Sequence, residues 1–250
     1  MWPYPKILAH RGGGSLAPEN TIAALRCGMA HGFRAVEFDV MLARDGVGVV
    51  MHDTCLGRTV AGAGQVADFT SVQLAAMDAG AWFGPQFVGE PVPLFTQFVR
   101  FCQDNGIWMN IEIKPAAGFE AVTGRIIATV TRTLFEAEIG AGQAARLPLL
   151  SSFSRVALAA AQAAAPDLAR AFLVGRIPVG WEAHARALEA VSLNVNQRYL
   201  TRRLAQAVKQ AGFGLFCYTV NQPERARELL EWGVDGLCTD RIDLIGPELA

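Results

Sequence analysis

The feature that most restricts the fold of this chain is a rhythm. Short apolar runs rich in Val, Ile, Leu and Phe alternate with longer stretches of helical period. Strands joined by helical crossovers lie parallel, because a parallel connection needs a dozen or more residues. The pattern predicts eight strands, over 6–9, 35–40, 107–113, 148–152, 169–174, 191–195, 214–218 and 236–238. Helices are expected over 21–30, 94–105, 119–137, 154–165, 179–190, 201–211 and 223–232. Asn20 and Ser154 suit helix caps, Pro223 suits a first turn, and Gly106, Gly212 and Gly233 suit the stops. Eight strands, each followed by a helix, in 250 residues point to an α/β fold, a (β/α)₈ TIM barrel spanning 1–250 as one domain. Barrel strands are covered on both faces, so their runs read as nearly continuous in apolar residues.

The rhythm fails over 53–93, where Gly, Ala and Pro surround an isolated Trp82-Phe83 pair. Such a length is too great for a structureless loop in a compact domain. The segment reads as an insertion, helical near 71–76, that caps one side of the barrel mouth. Trp82 and Phe83 serve either to pack it or to line the substrate entrance.

Composition narrows the partners. Hydrophobic residues make up 52% of the chain, enough for a large core, and the formal net charge of −1 lacks the basic excess of a nucleic-acid binder. No apolar run reaches the roughly 18–20 residues of a membrane span, so no stable membrane insertion is expected. Met-Trp-Pro-Tyr-Pro-Lys leads at once into the first strand, leaving no room for a signal peptide. The five cysteines form no C-x-x-C pair and are odd in number, which favours a reducing, cytoplasmic setting over a disulfide framework. No feature of the sequence fixes an oligomeric state.

The chemistry sits where apolar runs end. His10-Arg11-Gly12, Glu37-Phe38-Asp39, His52-Asp53 and Glu112-Ile113-Lys114 each begin or finish at a strand terminus. Strand interiors reject such groups, since an unpaired buried charge costs several kcal/mol or more. Residues i and i+2 of a strand share a face, so Glu37 and Asp39 point one way, as do Glu112 and Lys114. Asp45-Gly46 is a strong hairpin signal, and a two-residue turn centred there sets Asp39 opposite His52, about 5 Å away. Strand C-termini form the active face of such barrels, which adds His10 and Glu112 to the group.

Three carboxylates without a thiolate make a hard oxygen cluster suited to one divalent ion, Mg²⁺ or Ca²⁺, rather than zinc. Two imidazoles can share general-acid and general-base duty, while Arg11 and Lys114 can hold phosphate oxygens. Gly12-Gly13-Gly14 leaves backbone amides able to face an anion. Each motif alone has a plainer explanation: a loop, an edge strand or a salt-bridged strand end. Four such coincidences at strand ends favour a site. His31, beside a helix-ending glycine, and His184, in a polar helix, read as ordinary structural histidines.

These residues closely resemble the glycerophosphodiester phosphodiesterase family. The resemblance runs through His-Arg-Gly-Gly-Gly-Ser-Leu-Ala-Pro-Glu-Asn-Thr (10–21), Glu-Phe-Asp-Val (37–40), Asp-Gly (45–46), Val-Val-Met-His-Asp (49–53) and Leu-Gly-Arg-Thr (56–59). It continues through Ile-Glu-Ile-Lys-Pro (111–115), Ser-Ser-Phe-Ser (151–154), Tyr-Thr-Val-Asn (218–221) and Val-Asp-Gly-Leu-Cys-Thr-Asp (234–240). It implies a TIM barrel with a small insertion after the His-Asp strand. It further implies that Glu37, Asp39 and Glu112 bind the metal, that His10 and His52 are the acid–base pair, and that Arg11 and Lys114 contact the phosphate. Glu19 and Asn20 would shape the first loop.

The implied reaction hydrolyses glycerophosphodiesters, small-molecule substrates, to sn-glycerol 3-phosphate and an alcohol. The family's similarity to phosphatidylinositol-specific phospholipase C implies attack by the glycerol 2-hydroxyl through a cyclic phosphate, with direct attack by water as the other route. Tyr218 stands where the family often has Trp, Cys238 has no assigned role, and 175–190 matches little, so selectivity is expected there. Two competing readings are a related phosphodiesterase acting on lysophospholipids or phosphoinositides, and a silent barrel that only senses glycerophosphate. The silent barrel would be expected to lack a histidine or a metal carboxylate, and none is missing.

Overall fold

In the computed structural model, which describes residues 2–249, the alternation resolves into nine strands. In chain order they are β1 (Ile7–His10), β2 (Ala35–Leu42), β3 (Gly48–Val50), β4 (Trp108–Ile113), β5 (Leu149–Ser152), β6 (Ala169–Val174), β7 (Ala190–Asn196), β8 (Gly214–Tyr218) and β9 (Gly236–Thr239). All but β3 run parallel, each beside the next, and β1 pairs with both β2 and β9 to close the TIM barrel. The extra strand β3 pairs antiparallel with β2.

The helices are α1 (Ile22–Ala30), α2 (Ser71–Ala75), α3 (Phe95–Asp104), α4 (Glu120–Leu134), α5 (Glu136–Gly140), α6 (Arg155–Ala164), α7 (Trp181–Ala187), α8 (Arg202–Gln210) and α9 (Pro223–Glu231). Among the described residues β9 is followed only by turns, so seven barrel strands rather than eight lead into a helix.

Around and within the ring of strands, apolar packing forms in two places. Around the outside, side chains such as Phe38, Phe98 and Ile111 on one half, and Leu193, Leu215 and Leu229 on the other, fill the space between strands and helices. Each large buried side chain contributes roughly 1.5–3 kcal/mol. Inside the barrel, Leu8, Trp108, Leu149, Phe216 and Cys238 form a separate cluster near the strand N-termini. Trp2 and Tyr4 pack beneath it, Tyr4 against Trp108 with ring centroids 5.0 Å apart. Cys238 thus has a packing position in the apolar floor.

Four local expectations need correction. The hairpin is not a two-residue turn. Ala43 N donates to Val47 O at 2.9 Å, so the loop comprises Arg44, Asp45 and Gly46, with Gly46 left-handed at φ +76°. This is the three-residue form that needs glycine in its last position. The ladder therefore pairs Val40 with Val50 and Leu42 with Gly48, and continuing it aligns Asp39 with Met51 rather than His52. Asp45 is occupied elsewhere, accepting from both the backbone and the hydroxyl of Ser71 at the start of α2.

The predicted helix over 119–137 breaks at Phe135, whose buried ring sits in the outer core between α4 and α5. The predicted 179–190 helix is only Trp181–Ala187, entered through left-handed Gly180, and Ala190 already belongs to β7. Asn20 does not cap α1. Thr21 does, its hydroxyl accepting from Ala24 N at 3.0 Å, while Asn20 turns inward with φ +61°.

Between 53 and 93, two short 3₁₀ turns, α2 and isolated bridges such as Cys55–Gln65 and Asp78–Pro91 organise the chain. Met41, Met51, Val60, Val66, Leu74 and Val92 give this region its own small core. Trp82 stacks edge-on against Phe83 and donates its indole N–H to Ala79 O, while about two-fifths of its surface stays exposed.

Replacing Thr21→Ala should cost about 1 kcal/mol through loss of the cap. In a chain of this size that lowers Tm by roughly 2–4 °C. Thermal melting checks this; an unchanged Tm would refute the assignment of the cap to Thr21.

Candidate active site

Sheet register assembles the charged groups. On β2, Glu37 and Asp39 are two residues apart and share a face. Asp39 aligns with Glu112 of β4, and His10, at the end of β1, aligns with Glu37. Carboxylate oxygens of Glu37, Asp39 and Glu112 consequently lie within 4.8 Å of one another. The Lys114 ammonium, just beyond β4, stands 3.6 Å from both Asp39 and Glu112. Arg11 Nε lies 3.4 Å from Asp39 Oδ2. Asn20 donates to the same Asp39 oxygen at 2.8 Å.

Arg11 reaches this position through backbone strain. Its φ of +52° is left-handed, a conformation costing of order 1–3 kcal/mol for a side-chain-bearing residue. The turn is held because Arg11 N donates to Glu37 O and Arg11 O accepts from Asn20 N. Glu19 then accepts from the Arg11 guanidinium at 2.7 Å and also from both terminal nitrogens of Arg58. The glycine run serves close approach: a Cβ on Gly14 would lie 2.2 Å from Asp240 O, which accepts from Ser15 N instead.

Both histidines are oriented by carboxylates. His10 Nδ1 bonds Asp240 Oδ1 at 2.5 Å, and Asp240 is itself held by the Asn221 amide. His52 Nδ1 bonds Asp53 Oδ1 at 2.6 Å, while Arg58 Nε donates to the other Asp53 oxygen. A carboxylate on Nδ1 fixes that nitrogen as donor and leaves Nε2 as the free acceptor. His10 Nε2 faces Glu37 at 3.6 Å.

Charge is unevenly compensated. Burial, reinforced by Asp39 and Glu112, pushes the Glu37 carboxyl well above its ordinary range. Burial and neighbouring Asp39 raise Glu112 to about 7. Burial also works against ionised Asp39, but Arg11, Lys114 and His52 outweigh it and hold Asp39 below the usual carboxylate range. Burial pulls His52 down toward the neutral imidazole. Among the described residues, Glu37 Oε2 and Arg11 Nε are buried without a hydrogen-bond partner. An orphaned carboxylate oxygen within an all-oxygen cluster is what a hard divalent cation satisfies, so the donor set fits such an ion.

The structure thus brings His10, Arg11, Glu37, Asp39, Glu112 and Lys114 together, with His52 near enough to Asp39 for the two charges to interact. His31 and His184 have local partners instead, Cys27 O and Arg155. Sequence reasoning gave no role to Asp53, Arg58, Asn221 or Asp240. Asp53 adjoins His52, and Asp240 ends the last strand, so strand-end logic could have found both. Nothing in the spacing marks Arg58 or Asn221.

A family model described as "Glycerophosphoryl diester phosphodiesterase family" matches residues 10–244. The chain belongs to this family. The sequence-based expectation of a phosphodiesterase of this family is met, and all the charged residues assembled above fall inside the matched span. Among its relatives, the glycerophosphodiester phosphodiesterase of Caldanaerobacter subterraneus subsp. tengcongensis is 33% identical over 236 residues, 94% of this chain and 93% of that one. An Oleispira antarctica phosphodiesterase, solved with the product sn-glycerol-3-phosphate, is 31% identical with a TM-score of 0.85, covering 95% of this chain and 93% of that one. The Agrobacterium tumefaciens glycerophosphodiester phosphodiesterase is 27% identical with a TM-score of 0.78, covering 96% and 98% of the two chains.

In this member of the family Tyr218 donates its hydroxyl to Val174 O and stacks edge-on with Phe153. The raised carboxyls carry a stability consequence. A group whose folded pKa lies above its unfolded value holds a proton that the unfolded chain has released, so stability falls as pH rises between the two. Metal-stripped protein should therefore lose Tm as pH climbs from about 4.5 to 7, the range between an ordinary carboxyl and that of Glu112. A divalent cation held by the three carboxylates would restore more of the Tm at pH 8 than at pH 5, because it competes with protons. Melts across pH with and without EDTA test this; equal metal stabilisation at both pH values would contradict it.

Proposed function

We propose that the chain hydrolyses glycerophosphodiesters to sn-glycerol 3-phosphate and an alcohol, using one divalent ion and two histidines. The observation that carries the reading is the convergence of three carboxylates and two carboxylate-oriented imidazoles in a chain of this family. The product bound by the Oleispira antarctica relative supports the choice of substrate.

Glu37, Asp39 and Glu112 would hold Mg²⁺ or Ca²⁺. The bound ion supplies neutralisation and polarisation of the phosphoryl group. Arg11 and Lys114 bind phosphate oxygens: Lys114 as a point charge, Arg11 through donors already aimed by Glu19. Either imidazole, with Nδ1 anchored, presents Nε2 to move a proton. One takes the proton of the nucleophile, and the other delivers a proton to the departing alkoxide. Asp240 and Asp53 stabilise the imidazolium form of each ring, the one formed when a proton is taken up and the one present before a proton is delivered. Arg58 ties Asp53 to Glu19 and so links the His52 side of the site to Arg11.

The segment 53–93 forms the cap beside the mouth in this reading, within one barrel domain. The segment over 175–190 bears on selectivity for the alcohol. A cytoplasmic setting belongs to the same proposal and rests on five free cysteines. Among the described residues no helix is long and apolar enough to cross a membrane.

His10→Ala and His52→Ala should each lower release of sn-glycerol 3-phosphate from glycerophosphocholine by roughly 10²–10⁴-fold, the usual value of a general acid or base. Calorimetry should find divalent-ion affinity retained in both. Glu112→Gln should instead weaken ion binding, and EDTA should abolish turnover of the wild type. Near-wild-type turnover in either histidine variant would overturn the acid–base assignment.

A further inference from the structure

Below the carboxylates the barrel interior is polar where close-packed aliphatic layers are the rule. Asn110 lies two residues before Glu112 on β4 and aligns with Glu37 across to β2. Ser151 of β5 aligns with Glu112, and Asn194 extends from β7. All three are at least 98% buried. Among the described residues, Asn110 Oδ1, Ser151 Oγ and Asn194 Nδ2 lack any hydrogen-bond partner, as does Glu37 Oε2. Leaving such atoms unpaired is unfavourable, because each gives up its hydration without a replacement.

These residues do not scatter through the protein. Asn110, Ser151, Asn194, Glu37 and Glu112 line one small cavity of about 30 Å³, which His10 and Tyr218 also border. A single buried water needs roughly 10–15 Å³ measured this way and two to four polar partners. The cavity therefore has room for about two waters. The donor pattern is complementary. Ser192 Oγ donates to Asn194 Oδ1 at 3.0 Å, which fixes the Asn194 amide so that its N–H groups face the cavity as donors. Asn110 Oδ1 and Glu37 Oε2 are acceptors, and Ser151 Oγ can act in either sense. A water can accept from Asn194 and donate to Asn110 and Glu37 together.

We propose that this cavity is a structural water site, and that Asn110, Ser151 and Asn194 are positioning residues for the acidic cluster. They act through bound water on Glu37 and Glu112 from the β4, β5 and β7 side of the cavity. The proposal rests on the reading that these carboxylates hold the divalent ion. Outer hydrogen-bond partners of metal ligands commonly change affinity by 10–100-fold.

The test uses Asn194→Leu, which removes the donor at similar volume, and Ser151→Ala. Water-¹⁷O magnetic relaxation dispersion counts long-lived buried waters, and calorimetry measures Mg²⁺ and Ca²⁺ affinity without reference to turnover. Each variant should lose at least one buried water and bind the ion about tenfold more weakly. Unchanged water counts, or affinities within twofold of wild type, would overturn the proposal. Should Asn194→Leu fail to fold by circular dichroism, Ser151→Ala decides alone. A wild-type protein that binds neither ion would refute the proposed function instead, and the water count would still judge the cavity.

Discussion

Mutual repulsion of three carboxylates is the constraint around which this molecule is arranged. Gathering Glu37, Asp39 and Glu112 within 4.8 Å at the end of an apolar barrel is unfavourable, and two cations only partly offset it. The surrounding structure is what makes the arrangement tolerable. Left-handed Arg11 and Asn20 are strained so that a guanidinium and an amide reach Asp39. Lys114 bridges Asp39 and Glu112 from the edge of β4. Burial, together with the repulsion those groups leave uncompensated, raises the carboxyls of Glu37 and Glu112. A cluster of raised carboxyls that could hold a metal would release protons on doing so.

The division between rigid floor and reactive mouth follows from the parallel sheet. Every barrel strand points its C-terminus the same way, so strand-end residues converge without any single loop having to span the site. At the opposite end Trp2, Tyr4, Trp108 and Phe216 pack as an apolar base. Supporting interactions are layered outward from the centre. Asp240 and Asp53 hold the imidazoles, while Asn221 and Arg58 hold those aspartates. Glu19 collects Arg11 and Arg58 onto one carboxylate, so the first loop and the region after β3 share a single electrostatic anchor.

Much of this was legible in residue order. The barrel follows from apolar periodicity, and the convergence of Glu37, Asp39, Glu112 and His10 follows from strand ends alone. What escaped detection depended on competition between local options. Asp45-Gly46 fits a two-residue turn as well as a three-residue one, and the bond from Ala43 N to Val47 O marks the longer form. Asn20 and Thr21 are both good caps, but a buried acidic partner draws Asn20 away. Phe135 sits in a helical pattern, yet packing of its ring ends α4 there. Arg58 stood in the resembling Leu-Gly-Arg-Thr stretch without a role, because its partners Glu19 and Asp53 are not in periodic register with it.

One contact has a consequence for the life of the chain. His10 and Asp240 are 230 positions apart, and their bond exists only once β9 has docked beside β1. Until that final strand arrives, the first imidazole has no anchor and the ring of strands has no seam. An emerging or incompletely closed polypeptide therefore carries Glu37, Asp39 and Glu112 while His10 still lacks its carboxylate partner. Closing the ring and orienting that imidazole are one event.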